Sequence, residues 1–168
     1  ITGASRGIGR ATAHQFAKAG WHLVLTFNQN KDLGEKVSEE CRNLGAPSVM
    51  LKHLDLADDA SIEKTVQEAI SVHKKIDILI NNAGVMIRGP LASLSFKEIS
   101  LQMRTNLEGL IKLTKVCLPQ VAEAIVNVGS NLSFQGKALL SVYTATKFAI
   151  RGFTKALAKE RPELRILT

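Results

Sequence analysis

Strand-like and helix-like patterns alternate along the chain, and this alternation constrains the fold more than any single motif. "WHLVLTF" (21–27) is apolar and rich in β-formers, while "DLGEKVSEECRNLG" (32–45) carries Leu33, Val37, Cys41 and Leu44 at helical spacing and ends at Gly45. "SVMLKHL" (48–54) reads as a strand. Residues 58–75 read as a helix with Ile62, Val66, Ala69, Ile70 and His73 on one face, acidic in the first turn and basic in the last. "IDILI" (76–80) has the length of a buried strand, 96–121 is largely helical with a break near Pro119, and "AIVNVGS" (124–130) is another strand. A helix over 141–160 stops before Pro162, and "LRILT" (164–168) reads as a last strand. The pattern predicts an α/β fold: a doubly wound parallel sheet of the Rossmann type, covered by helices on both faces in three α/β/α layers, as one domain over 1–168. Both ends are expected to be incomplete. The opening turn needs a strand in front of it, of which only Ile1 stands here, and the first strand of such a sheet is central.

The opening turn, "TGASRGIG" (2–9), sets Gly3, Gly7 and Gly9 between a strand end and a helix expected over roughly 8–19. Three glycines in that place serve a tight turn, a close backbone approach to a pyrophosphate, and close helix–strand packing. The helix N-terminus then offers free N–H groups to the phosphates. The spacing is G-x-x-x-G-x-G rather than G-x-G-x-x-G, so the loop is a nucleotide signal because of where it stands. The residue at the end of the second strand selects the nucleotide, since a carboxylate there repels a 2′-phosphate. Here Asn28 stands at that point and Arg6 sits inside the turn, where a guanidinium can pair with a 2′-phosphate. Both favour NADP(H), with NAD(H) still open.

Tyr143 is the single tyrosine, and Lys147 follows four residues later on one face of the expected helix. A hydride moved to or from a carbonyl carbon needs a proton at the oxygen, and a phenol with a pKa of about 10 is poorly matched to neutral pH. A neighbouring ammonium is expected to lower it. Upstream, "NNAG" (81–84) follows the buried strand, at the sheet edge where ligands bind, and Asn82 offers an amide there. Singly, each residue has an ordinary alternative: Ser130 as a cap, Asn106 as a buried amide, Tyr143 as core, Lys147 as part of a solvated basic stripe with Arg151, Lys155 and Lys159.

Taken together, "TGASRGIG" (2–9), "LDL" (54–56), "NNAG" (81–84), "TN" (105–106), "VGS" (128–130) and "YTATK" (143–147) resemble the short-chain dehydrogenase/reductases over essentially the whole chain. Ser130 precedes Tyr143 by thirteen residues, the spacing of that family. The resemblance implies a catalytic tetrad of Asn106, Ser130, Tyr143 and Lys147. Asn106 holds a proton-relaying water, Ser130 bonds the substrate oxygen, and Lys147 also holds the nicotinamide ribose. It implies a cofactor site of Gly3, Ser5, Arg6, Gly7, Ile8, Gly9, Asn28, Asp55, Leu56, Asn82, Ala83 and Gly84 together with Tyr143 and Lys147, with Asp55 at the adenine. It further implies a ketone or secondary-alcohol substrate and a homodimer or homotetramer joined through helices near 102–119 and 141–160. Gly109, Ala149, Gly152 and Ala156 would permit close helix packing there. The stretch between helix and strand near Val121–Ala124 is shorter than the family's, and residues missing there are an expectation.

Other function classes fare less well. Histidines 14, 22, 53 and 73 show no ligand spacing, so no metal is expected. No apolar run approaches the roughly 18 residues of a membrane span. Cys41 and Cys117 are too isolated for a disulfide framework, which points to reduced thiols and a cytoplasmic setting. The net charge of +7 admits an acidic partner such as an acyl carrier protein, hence a 3-oxoacyl substrate, or a general carbonyl compound. Nucleic acid is disfavoured because interleaved exposed aromatics are lacking. A catalytically silent dinucleotide-binding sensor or scaffold is the alternative, and an intact tetrad argues against it. The loop 131–142 is mostly apolar and is expected to line the substrate pocket.

Overall fold

A computed structural model describes residues 1–168. Five parallel strands, β1 Leu23–Phe27, β2 Val49–His53, β3 Ile76–Asn81, β4 Val121–Asn127 and β5 Arg165–Leu167, form two hydrogen-bonded groups, β1–β2 and β3–β4–β5. Residues 1–4 bridge them. Ile1 O accepts from Thr26 N at 3.1 Å and Ala4 N donates to Thr26 O at 2.8 Å, while Thr2 N donates to Ile80 O at 3.0 Å on the other side. The spatial order is therefore β2, β1, residues 1–4, β3, β4, β5.

The helices are α1 Gly7–Lys18, α2 Lys31–Asn43, α3 Asp59–His73, α4 Phe96–Met103, α5 Gly109–Cys117 and α6 Ser141–Glu160. Helices α1 and α2 bury Ala13, Ala17, Val37 and Cys41 against Leu23 and Leu25. On the other face Ile62, Val66, Leu113, Cys117 and Leu157, from α3, α5 and α6, close over Leu79, Ile125 and Ile166. These are the two helical layers of a doubly wound sheet, as the alternation predicted.

Local chemistry sets the element ends. Asp58 Oδ1 accepts the Ala60 N–H at 3.1 Å to cap α3, and Ser95 with Glu98 forms a capping box on α4. Gly45 ends the second α/β connection with φ +109°, a region that favours glycine. The face of α2 differs from expectation. Its buried stripe runs through Gly34, Val37, Ser38 and Cys41, and Leu33 is exposed. Gly34 explains the shift, because a Cβ there would stand 3.1 Å from Leu51 Cδ1, so the helix lies close on β2 through its glycine.

Leu118–Gln120 forms a 3₁₀ turn around Pro119 that leads directly into β4 at Val121. The register moves from Ile76↔Val121 to Ile78↔Ala124, a β-bulge at the start of the β3–β4 pairing. Gly109 has a different role from the one expected. A Cβ on it would meet Leu56 Cβ at 2.7 Å and Leu56 C at 2.8 Å, so it serves contact inside the chain, where α5 crosses the turn after β2. Gly109→Ala is expected to lower the urea-unfolding free energy by about 1–3 kcal/mol, the usual range for overpacking. An unchanged urea midpoint would mean that α5 does not depend on this approach.

Candidate active site

The glycine turn closes at the carboxyl end of the sheet, between β1 and β3. Gly3 and Gly7 adopt φ +62° and +55°, where a side chain would be strained. Gly9 is needed for space: a Cβ would stand 2.6 Å from Asn82 Nδ2 and 3.0 Å from Ala4 Cα. Arg6 precedes α1 in an extended conformation and gives the helix no side-chain cap, so the first N–H groups of α1 are left for a ligand. These features fit a dinucleotide pyrophosphate over Gly7, Ile8 and Gly9, with Ser5 and the exposed Arg6 beside it.

Asn82 ties this turn to β3. Its Nδ2 donates to Thr2 O at 2.9 Å and to Gly3 O at 3.1 Å. Thr2 Oγ1 in turn accepts from the Asn82 and Ala83 N–H groups at 3.0 and 2.9 Å. Asn82 therefore shapes the groove through backbone it holds in place. Gly84 borders Asn106, whose Oδ1 would lie 3.2 Å from a Cβ at that position. Asn28 follows β1 directly and is exposed, with no carboxylate at the strand end. Asp55 uses Oδ1 to accept the Ala57 N–H at 2.9 Å, an Asx-type turn at the end of β2. Leu56 is 4% exposed and belongs to the core, so only its main chain can face a ligand.

Asn106 sits in a π-helical turn, Arg104–Glu108, between α4 and α5. Its Oδ1 accepts the Val85 N–H and its Nδ2 donates to Val85 O, both at 2.7 Å. Both ends of the amide are thus engaged, and the side chain acts as a clamp on residue 85. Ser130 follows β4 in an extended conformation, accepts the Leu132 N–H at 3.1 Å and donates to Asn131 Oδ1 at 3.1 Å, with its hydroxyl near enough to the Tyr143 phenol to favour the phenolate. Lys147 is 5% exposed, 5.6 Å from the Tyr143 ring centre, and its Nζ donates to Val128 O at 2.7 Å. Four residues from three chain regions therefore meet at the carboxyl ends of β3 and β4.

The expected lowering of the Tyr143 pKa does not occur in this arrangement. Burial pushes the phenol up, and the Ser130 hydrogen bond opposes that only in part. Burial likewise pushes the Lys147 ammonium below its ordinary value. The basic stripe is accordingly broken: Lys147 is buried, Arg151 lies 4.3 Å over the Phe134 ring, and Lys155 and Lys159 are exposed.

A buried polar ladder that no residue spacing indicates lies beneath this site. Asn81 Nδ2 donates to Thr114 Oγ1 and Asn127 Oδ1, and Asn127 Nδ2 donates to Thr154 Oγ1 at 2.9 Å. It joins α5, β3, β4 and α6 directly below Asn82 and Val128. Asn at the last residue of two neighbouring strands was the only signal for it.

A lowered lysine pKa has a signed consequence. Between the folded-state value and the ordinary 10.5, the unfolded chain binds more protons, so stability rises with pH in that window. The difference in unfolding free energy between wild type and Lys147→Met should therefore move in favour of wild type as pH climbs towards 10.5. A flat difference from pH 7 to pH 10.5 in urea titrations would rule out a buried, desolvated ammonium.

The chain matches the short chain dehydrogenase family over residues 1–167. It is 35% identical over 164 residues to a 3-ketodihydrosphingosine reductase of Bacteroides thetaiotaomicron, covering 95% of this chain and 56% of that protein. It is 38% identical over 169 residues to a dehydrogenase/reductase SDR family protein 7-like of Anopheles gambiae (95% and 53%). Identity to a 3-oxoacyl-[acyl-carrier-protein] reductase FabG of Staphylococcus epidermidis is 33% over 164 residues (95% and 67%). The chain thus spans little more than half the length of the first two. Among solved structures, a metagenomic short-chain oxidoreductase in complex with NADP superposes with TM-score 0.92 at 27% identity, covering 100% of this chain and 78% of that one. A Burkholderia cenocepacia short chain dehydrogenase in complex with NADP gives 0.91 at 29% (100% and 69%). With its glycine turn, its Asn82 tie and its Tyr143–Lys147 helix in the family's order, the chain belongs to the short-chain dehydrogenases.

Proposed function

We propose that this chain forms, as one domain, the cofactor-binding and catalytic unit of an NADP(H)-dependent oxidoreductase acting on a ketone/secondary-alcohol pair. The observation that carries the reading is the meeting of Tyr143, Ser130 and Lys147 beside a glycine turn built for a dinucleotide. When bound, the nicotinamide supplies or takes up the hydride. The chain's own residues handle the proton. A phenol held protonated by burial is the right form for donating to a carbonyl oxygen, which makes Tyr143 the acid in the reducing direction. Ser130 donates a hydrogen bond to the same oxygen and stabilises the charge that grows there. Lys147 sets a positive field beside the phenol and, on giving up Val128 O, reaches the ribose. Asn106 holds the backbone at Val85 in place behind them.

NADP(H) over NAD(H) is supported by an exposed Arg6 at the phosphate turn and an uncharged Asn28 at the end of β1. Two structural relatives in complex with NADP agree with this. The names of two curated relatives describe reductases of 3-keto and 3-oxoacyl compounds, which supports a carbonyl on an apolar chain. Within the loop 131–142, Leu132, Leu140 and Val142 are buried, leaving Phe134 and Leu139 to meet such a body. The reading includes a homodimer or homotetramer: Phe96 and Phe148 are exposed on α4 and α6, and nothing lies within 4 Å of a Cβ at Gly152.

NADPH fluorescence is the direct test, since Trp21 stands at the far end of β1 from Asn28. Tyr143→Phe should lower turnover of a ketone panel about 10²–10⁴-fold, the usual worth of a positioned acid, with NADPH affinity nearly unchanged. Undiminished turnover would remove the tyrosine mechanism. Asn28→Asp should weaken NADPH relative to NADH by about tenfold or more, because a carboxylate would face the 2′-phosphate. No shift in that ratio would place 2′-phosphate recognition elsewhere.

A further inference from the structure

Gln102 is the one glutamine that the fold buries completely, at 0% exposure on α4. Its Oε1 accepts the Ile87 N–H at 3.1 Å, and its Nε2 has no partner in the protein. The donor at Ile87 decides which end of the amide faces it, so the unpartnered end is Nε2. A buried amide half without a partner is a poor choice for packing alone, where an apolar side chain of similar volume would serve better.

The placement explains it. Asn106 stands four residues on and holds residue 85 by both main-chain groups. Gly89 N donates to Leu139 O at 2.9 Å. Residues 85, 87 and 89 thus donate their N–H groups in turn to Asn106, Gln102 and Leu139. The segment is an extended strap fastened at alternate residues, with Met86 and Arg88 exposed between the fastenings. It begins at Gly84, in the cofactor groove, and ends on the loop that leads into α6 and Tyr143. Its last fastening uses a strained residue, since Leu139 is a leucine at φ +68°.

The geometry points to Gln102 as a positioning residue for the reaction, a role that rests on the reductase reading. Its amide oxygen fixes the middle of the strap, so the groove at 82–84 and the helix of Tyr143 keep one relative placement. Without it the strap is held at its ends only.

The test compares wild type, Gln102→Met, which has similar volume but no such acceptor, and Gln102→Glu, which keeps an oxygen at that point. Amide exchange at Ile87, NADPH affinity, and kcat and KM on a carbonyl substrate are measured on each. Gln102→Met is expected to speed Ile87 exchange and to lower kcat about 10–10²-fold, the scale of a small misplacement of reacting groups. NADPH affinity should hold, because Asn82 is fastened separately by Thr2, and Gln102→Glu should recover both exchange and kcat. Unchanged exchange and kcat in Gln102→Met, or equal losses in both variants, overturn the proposal. If Gln102→Met does not fold, Gln102→Glu decides alone: wild-type exchange and kcat support the role, and altered values overturn it. If wild type turns over no carbonyl compound, the reductase reading fails by itself, and Ile87 exchange still decides whether the strap depends on Gln102.

Discussion

The knot between Thr2 and Asn82 is the interaction on which the rest depends. Residues 1–4 lie between the two strand groups and hydrogen-bond to both. Thr2 gives its N–H to Ile80, its hydroxyl oxygen to two N–H groups, and its carbonyl to the Asn82 side chain. One short polar cluster thereby sets the glycine turn against the end of β3. It needs Gly9 to have no side chain, because the Asn82 amide occupies that space. Phosphate loop and cofactor groove are therefore parts of a single hydrogen-bonded object.

Below that knot lies a second polar layer, the Asn81–Asn127 ladder with Thr114 and Thr154. Two buried amides at adjacent strand ends would each cost free energy if unpaired, so they specify one register of β3, β4, α5 and α6. The catalytic candidates ride on these elements. Asn106 hangs from the π turn ahead of α5, Ser130 from the end of β4, and Tyr143 and Lys147 from α6. A stiff polar floor is what lets residues so distant in the chain converge.

Much of this was legible from residues alone. The strand–helix alternation, the exact span of α6 at 141–160, the glycine turn and the Tyr143–Lys147 pair follow from local rules: apolar periodicity, proline and glycine stops, and i,i+4 geometry. Where the reading went astray, the reason was packing. Leu33 obeyed helical spacing yet faces solvent, because Gly34 lets the backbone lie closer to β2. Gly109 looked free for a partner helix and is used against Leu56. The phenol of Tyr143 was expected to be lowered by its lysine, but both groups are desolvated, and burial acts on each more strongly than they act on one another.

The sequence by itself determined the layer architecture, the family and the set of residues able to do the chemistry, because these rest on periodicity and on motifs read within a few residues. Only the tertiary structure decided what each residue does. Asn106 became a clamp, Leu56 part of the core, Gln102 a fastening on the strap, and Asn81 and Asn127 a shared floor. Hydrogen-bond partners and desolvation depend on groups tens of residues away, and no local pattern carries that information.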